Sequence, residues 1–398
     1  MFFEILISIT IGICLGTLTG LTPGIHINLI SIILLKFTTV LLIYFNPLSL
    51  AVIIISMGIT HSFLDSIPAI YLGAPDSDTV LSVLPGHKLL LEGKGYEAVR
   101  LTLIGSLMSL IIVTTFIPVL IGLTLILFEY IEPYIGYILI ISSILMILRE
   151  EKKLLALHQF IITGILGIIV LSLPFKQPLL PMLSGLFGTS GLLISMFDKV
   201  IIPKQEITQT IKIKKKNKIK AVLASSFAGT LTGIFPGLGA AQAAIIGSSI
   251  TGHIGNYTFL ILVGGVNTAN FLFSLVTFYT LQKSRNGAVL VVSQIINTIT
   301  IKELMILIST ALLAGSIATL ITLQIAKIFS KLITKVNYQL LCTLIILTIT
   351  IISYLFSGPM GLLILLISTI IGILPPKLGI GRNHSMGCLL IPVIIYFI

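Results

Sequence analysis

The chain has 398 residues, 56% of them hydrophobic and 9% charged, with a mean hydropathy of +1.16. A soluble domain carries about 25% charged residues, so this composition excludes a soluble globule and points to a polytopic membrane protein. The net charge of +11 is no nucleic-acid footprint, because the excess sits in short loops. The densest, Lys204 to Lys220, holds seven Lys against one Glu and reads as a cytoplasmic loop under the positive-inside rule. An anionic-lipid site is the lesser reading of the same run. Cys14, Cys342 and Cys388 form no paired spacing, so neither a disulfide framework nor a metal site is expected. The N-terminus lacks a basic n-region, and a cleaved signal peptide is not expected.

The first apolar stretch contains GTLTGLTPG, Gly16 to Gly24, which returns as GTLTGIFPG, Gly229 to Gly237, identical at seven of nine positions. Two crossings need about 20 residues each, and too few residues separate Glu4 from Lys36 for both. A single straight helix would overshoot the bilayer, with Pro23–Gly24 near its middle. The expected solution is a re-entrant hairpin unwound at Thr22–Gly24. The second copy repeats the pattern between Lys220 and His253, around Pro236–Gly237. One isolated Pro–Gly pair would read as a kink; its reuse in both halves favours the hairpin.

Each half then offers a second interrupted segment. Leu48 to Asp76 is expected to break around His61–Pro68, and Thr258 to Lys283 around Gly264–Asn270. Ordinary spans are expected near 98–117, 119–131, 134–148, 154–173 and 178–197, then near 287–299, 303–328, 338–356, 360–374 and 385–398. The fold expected is an all-α polytopic membrane protein of two inverted-topology repeats. Each repeat would carry two broken or re-entrant helical hairpins plus spanning helices. Residues 1–198 form the first repeat, 199–220 the basic loop and 221–398 the second repeat. The lysine loop and Arg149–Lys153 are placed on the cytoplasmic side, so the two hairpins would enter from opposite faces.

Unwound backbone inside a membrane persists only where protein, ligand or water satisfies it. Helix N-termini suit carboxylate or phosphate, and free carbonyls suit Na⁺ or a proton-carrying water. The expected substrate-binding set is therefore Thr22, Gly24, His26 and Asn28 in the first half, with Phe235, Gly237, Gly239, Gln242, Asn267, Thr268 and Asn270 in the second. Asp65 is the only carboxylate deep in a predicted hairpin and is a functional candidate by default. With His61 four residues earlier it forms the expected coupling pair for H⁺ or Na⁺. Asp65 as a helix cap and His26 as a partner of a free tip carbonyl are the structural alternatives. The polar loop from Gly73 to Arg100 is not a P-loop, since EGKG lacks the upstream glycine and following Ser or Thr. It reads as an interfacial segment whose Asp76, Asp78 and Arg100 would gate a cavity, or as an ordinary solvated loop.

GTLTGLTPG, LGAPDSDTVLSVLPGHKLLLEGKGYEAVRLT, LSGLFGTSGLLIS and GTLTGIFPGLGAAQA, in this order, resemble the large membrane subunit of tripartite tricarboxylate transporters, the TctA-like permeases, and most closely their archaeal relatives. The resemblance spans nearly the whole chain. It implies a secondary carboxylate transporter driven by an ion gradient. It also implies a small membrane subunit and an extracytoplasmic binding protein as partners. Gly20–Gly24 and Gly233–Gly239 would correspond to the family's glycine and Pro–Gly signatures, and Asn267 and Asn270 to its asparagine-rich stretch. His26, Asn28 and THSFLDSIP depart from the bacterial pattern and put both citrate-like specificity and dependence on a binding protein in question.

The leading functional reading is an ion-coupled transporter of a small organic anion of the di- or tricarboxylate class. It needs no cofactor beyond H⁺ or Na⁺, with membrane lipid as surroundings and homodimerisation left open. The runner-up is a carrier of lipid-linked phosphate such as polyprenyl phosphate. An aspartyl protease using Asp65 and Asp76 is disfavoured, because Asp76 is expected near the surface and GAPD is a poor match to the GxGD pattern of such enzymes.

Overall fold

The computed structural model describes residues 2–22, 27–73, 83–174, 177–197, 202–208, 210–211, 213–234, 239–252, 255–284, 286–335 and 337–398. Both Pro–Gly tips, with Pro23, Gly24 and His26 in the first and Phe235, Pro236 and Gly237 in the second, lie outside the described residues, as do Asp76 and Asp78.

The first half contains α1 (Phe2–Leu21), α2 (Ile27–Lys36), the single turn α3 (Thr38–Leu41), α4 (Pro47–Leu64) and α5 (Ser66–Tyr71). It continues through α6 (Val83–Leu91), α7 (Gly95–Ile131), α8 (Ile135–Leu148), α9 (Lys153–Ser172), α10 (Leu179–Leu183) and α11 (Ser190–Phe197). The second half contains α12 (Lys215–Ile234), α13 (Ala240–Thr251), α14 (Asn256–Leu281), α15 (Gly287–Ile296), α16 (Ile301–Leu332), α17 (Tyr338–Leu378) and α18 (Gly387–Phe397). Among the described residues every regular element is helical, and eight helical segments are long and apolar enough to cross a membrane.

Asn46 starts α4 by accepting the Ser49 N–H, with Pro47 in the first turn. Glu4 binds this cap from α1, accepting from Asn46 Nδ2 at 2.8 Å and from Ser49 Oγ at 2.9 Å. Further along, Gly12 lies against Ser56 and Ile53, Gly16 against Met57 and Thr60, and Gly20 against His61 and Leu64. Both helices therefore run in the same direction along a small-residue seam, the kind that lets backbones approach inside a membrane. Two sequential helices can be parallel only if the chain between them returns. Helix α2 and the turn α3 lie on that return.

The second half repeats this unit. Gly229 packs on Val266 and Ala269 of α14, and Gly233 packs on Phe273, so α12 and α14 are again parallel. Here the return helix is fully in view. A methyl at Gly247 of α13 would lie 3.5 Å from Ala228 Cβ of α12, and Lys220 Nζ donates to Thr251 O at 2.6 Å. Helices α12 and α13 are thus antiparallel, with the start of α12 beside the end of α13. Arg149 strengthens this end by donating to Ser248 O and Ser249 O, the C-terminal carbonyls of α13.

The first segment does divide within His61–Pro68, at Asp65 between α4 and α5, though only as a turn that keeps right-handed helical geometry, with the Asp65 N–H bonded to His61 O at 2.9 Å. One expected interruption does not form: helix α14 runs unbroken through Gly264–Asn270. The reason is packing. Gly264 lies directly on Thr102 O and Gly105 directly on Ile261 O, with no room for a methyl at either. These glycines serve close contact between α7 and α14 instead of unwinding. Nor does Pro118 divide α7 into the two spans expected at 98–117 and 119–131, and α15, near 287–299, is ten residues long and too short to cross. In α17 the chain does reverse, at Gly358 with φ +63°. A methyl placed at Gly361 would lie 2.7 Å from Ser353 O, whereas eight residues of straight helix would separate them by roughly 12 Å.

The halves interlock. Helix α4 pairs with α16, where Gly315 meets Ile59 and Phe63, and α14 pairs with α7. Helix α9 pairs with α18 through Gly167 on Cys388, while the second arm of α17 holds α10–α11 through Gly372 on Leu186. The segments Pro47–Tyr71 and Asn256–Leu281 are the most enclosed, with 89% and 83% of their most apolar windows buried. They meet in opposing senses: Gly58 lies on the Phe271 ring, and Asp65, further along α4, reaches Asn267, earlier in α14.

Candidate functional site

The α4–α14 crossing brings two buried polar groups together. Asp65 and Asn267 are both buried, and Asn267 Nδ2 donates to Asp65 Oδ2 at 3.3 Å. Asp65 makes no side-chain cap to α5, so the capping alternative is set aside. One turn back, His61 Nδ1 lies 3.0 Å from Thr19 Oγ1, within the first glycine–threonine phrase. The Thr19 hydroxyl spends its only proton on Gly16 O at 3.2 Å. The contact with Thr19 ties the His61 ring of α4 to α1. His61 and Asp65 thus face the same region, His61 in contact with Thr19 of α1 and Asp65 with Asn267 of α14.

The remaining expected site residues separate into groups. Thr22 is exposed and returns its hydroxyl to Leu18 O at 2.7 Å. Asn28 belongs to α2, but its side chain, like all of Gly24, His26, Phe235 and Gly237, lies outside the described residues. Gly239 is the N-cap of α13, and its N–H donates to Gln242 Oε1 at 3.0 Å, so Gln242 secures the helix that leaves the second tip. Thr268 bonds back to Gly264 O at 3.3 Å, and Asn270 is half-buried beside Gly229 and Gly233. Of the expected gate, Asp76 and Asp78 are outside the described residues. Arg100 donates from Nη1 to Thr208 O and lies 5.9 Å from the Tyr96 ring centroid, fastening the basic loop to α7.

A second polar cluster, absent from the sequence-based set, lies at the end of the bundle that carries the lysine loop. Arg382 is buried, with Nη1 at 3.3 Å from Phe187 O and 3.4 Å from Ser190 Oγ, and its Nε has no partner. Burial pushes its guanidinium down to about 10. Beside it His384 Nε2 lies 2.9 Å from Glu150 Oε2, which also accepts the Gly381 N–H at 3.1 Å. Burial alone would raise the Glu150 carboxyl, but these two contacts outweigh it and hold it below its usual value. Burial lowers the His384 imidazole, and Glu150 opposes this only in part. The signal available in the sequence was an Arg and a His within GIGRNHSMG, between two strongly apolar segments. Among the described residues no cluster of three or more metal-ligating side chains occurs.

A helical bundle of this hydropathy, with polar groups converging between its two most enclosed helices, is a multi-pass membrane protein with an interior polar site. The chain belongs to the Tripartite tricarboxylate transporter TctA family, whose model matches residues 6–387. It is also 30% identical over 410 residues to the uncharacterized protein MJ1079 of Methanocaldococcus jannaschii, covering 99% of each chain. No solved structure matches it. Membership makes the protein a transporter component and not an enzyme, and the family's tripartite organisation implies partner subunits and a substrate-binding protein.

Proposed function

We propose that the chain is an ion-coupled secondary transporter of a small organic anion of the di- or tricarboxylate class, driven by H⁺ or Na⁺. The observation that carries this reading is the buried Asp65–Asn267 contact where α4 and α14 cross in opposing senses. A carboxylate so enclosed is costly in a membrane and marks an ion pathway by default. The repeated units favour two inverted repeats, residues 1–198 and 221–398, with the tips as anion receptors and Asp65 and His61 as the coupling groups. Proteoliposome uptake of labelled succinate and citrate, with proton and sodium gradients imposed separately, tests it. Accumulation of either anion under either gradient supports the reading, and accumulation under neither removes it.

One observation favours the lipid-phosphate carrier as a second reading. Two apolar recesses of about 260 and 540 Å³ flank α12, both bordered by Phe227 and Leu231. Such recesses suit an acyl or prenyl tail. Flipping of polyprenyl phosphate in vesicles, without carboxylate uptake, would select this reading.

A further inference from the structure

The largest of the cavities described here, about 770 Å³, opens at the lysine-loop end, away from the α4–α14 crossing. Its wall includes Lys88, Arg149, Glu150, Asn256 and Arg382. Glu150 is engaged with His384 and Gly381, and Arg149 with the end of α13. Arg382 is different. It is 6% exposed, its Nε has no partner, and its contacts are two long ones to a carbonyl and a hydroxyl. Among the described residues no carboxylate stands within ion-pair distance of it.

The start of α14 lies on the same cavity, with Asn256 in its wall. Gly255, the N-cap, offers no side chain to this helix end, which carries the positive end of the helix dipole. A buried guanidinium with no carboxylate among the described residues at ion-pair distance, the N-terminus of α14 and Lys88 thus line one cavity. A guanidinium takes a carboxylate through two parallel hydrogen bonds, and a second carboxylate on the same molecule could reach the helix end or Lys88.

We propose that this cavity is a second anion site, in which Arg382 and the N-terminus of α14 hold a soluble di- or tricarboxylate on the lysine-loop side of the α4–α14 crossing. The proposal rests on the transporter reading above and adds a waiting station for the substrate on one side of it. Free carboxylate and an anionic lipid headgroup share the necessary chemistry, and the cavity's enclosure by α13, α14 and the 376–383 segment favours the soluble one.

The test uses the full chain in nanodiscs, in a Cys14→Ser background because Cys14 is exposed while Cys342 and Cys388 are buried. A thiol placed by Asn256→Cys is labelled with a negatively charged methanethiosulfonate. Citrate or succinate is expected to slow labelling several-fold, and Arg382→Gln to abolish that protection while Arg382→Lys keeps part of it. Size-exclusion profiles and [¹⁴C]citrate and [¹⁴C]succinate binding are measured on the same samples. Carboxylate binding without protection, or protection that survives Arg382→Gln, overturns the second site and leaves the transporter reading standing. Absence of any carboxylate binding by the unsubstituted protein overturns both. Protection by phosphatidylglycerol but by neither carboxylate assigns the cavity to lipid and overturns the soluble occupant. Should Arg382→Gln fail to fold, protection in the Asn256→Cys protein with Arg382 intact still decides.

Discussion

Asn267 donates to Asp65 at 3.3 Å across 202 residues of sequence, joining the centre of one repeated unit to the centre of the other. Interhelical hydrogen bonds in membranes average about 0.6 kcal/mol and reach about 1.7 kcal/mol in double-mutant cycles. A cycle over Asp65→Asn and Asn267→Ala, read by thermal or chemical unfolding in detergent, should give coupling in that range. Strictly additive effects would mean that the two side chains do not act on one another.

The glycines of the α7–α14 contact are expected to be intolerant. Alanine at Gly105 or Gly264 would place its methyl on the facing backbone carbonyl, and overpacking of this kind costs about 1–3 kcal/mol. Each substitution should lower the unfolding temperature. Gly122→Ala, on the same helix with nothing within 4 Å, should leave it unchanged or raise it slightly. Equal effects at all three positions would contradict the contact.

The return of α13 along α12 is open to a covalent test. Ala228 and Gly247 face each other at a Cβ separation of 3.5 Å, at the short end of the disulfide range. Ala228→Cys with Gly247→Cys, in a background lacking the three native cysteines, should lose its free thiols on mild oxidation. Persistent reactivity of both thiols would mean that the hairpin is not closed.

Acid should weaken the lysine-loop end. Glu150 is held below its usual value, so its contribution is present above about 4.5 and lost as pH falls through the lowered folded value. His384 is also lowered, which means that the unfolded chain takes up a proton first as pH falls below about 6.5. The His384 sign predicts a falling unfolding temperature between pH 7 and 5, and Glu150 adds to the fall only below about 4.5. His384→Gln should flatten that part of the profile, and an unchanged slope would show that the imidazole is not responsible.

Membrane class, helical content and the repeated phrase were legible in the sequence, because hydropathy and Pro–Gly pairs report directly on the solvent and on helix ends. The continuity of α14 was not. Gly264 and Gly265 look like breakers in one dimension and become contact surface once Thr102, Ser109 and Ser225 are beside them. Asp65 and Asn267 could each be singled out as costly polar groups, yet their pairing depends on how the two halves cross. Arg382 differs for a related reason: only the fold shows that this arginine, in a short polar segment, is buried with no carboxylate among the described residues at ion-pair distance.

Gradient-driven uptake against exchange in proteoliposomes, with Asp65 replaced by Asn, tests the central claim most directly. The account predicts that the substituted protein still exchanges labelled carboxylate across the membrane but no longer accumulates it under the gradient that drives the unsubstituted protein. Accumulation undiminished by Asp65→Asn would contradict it.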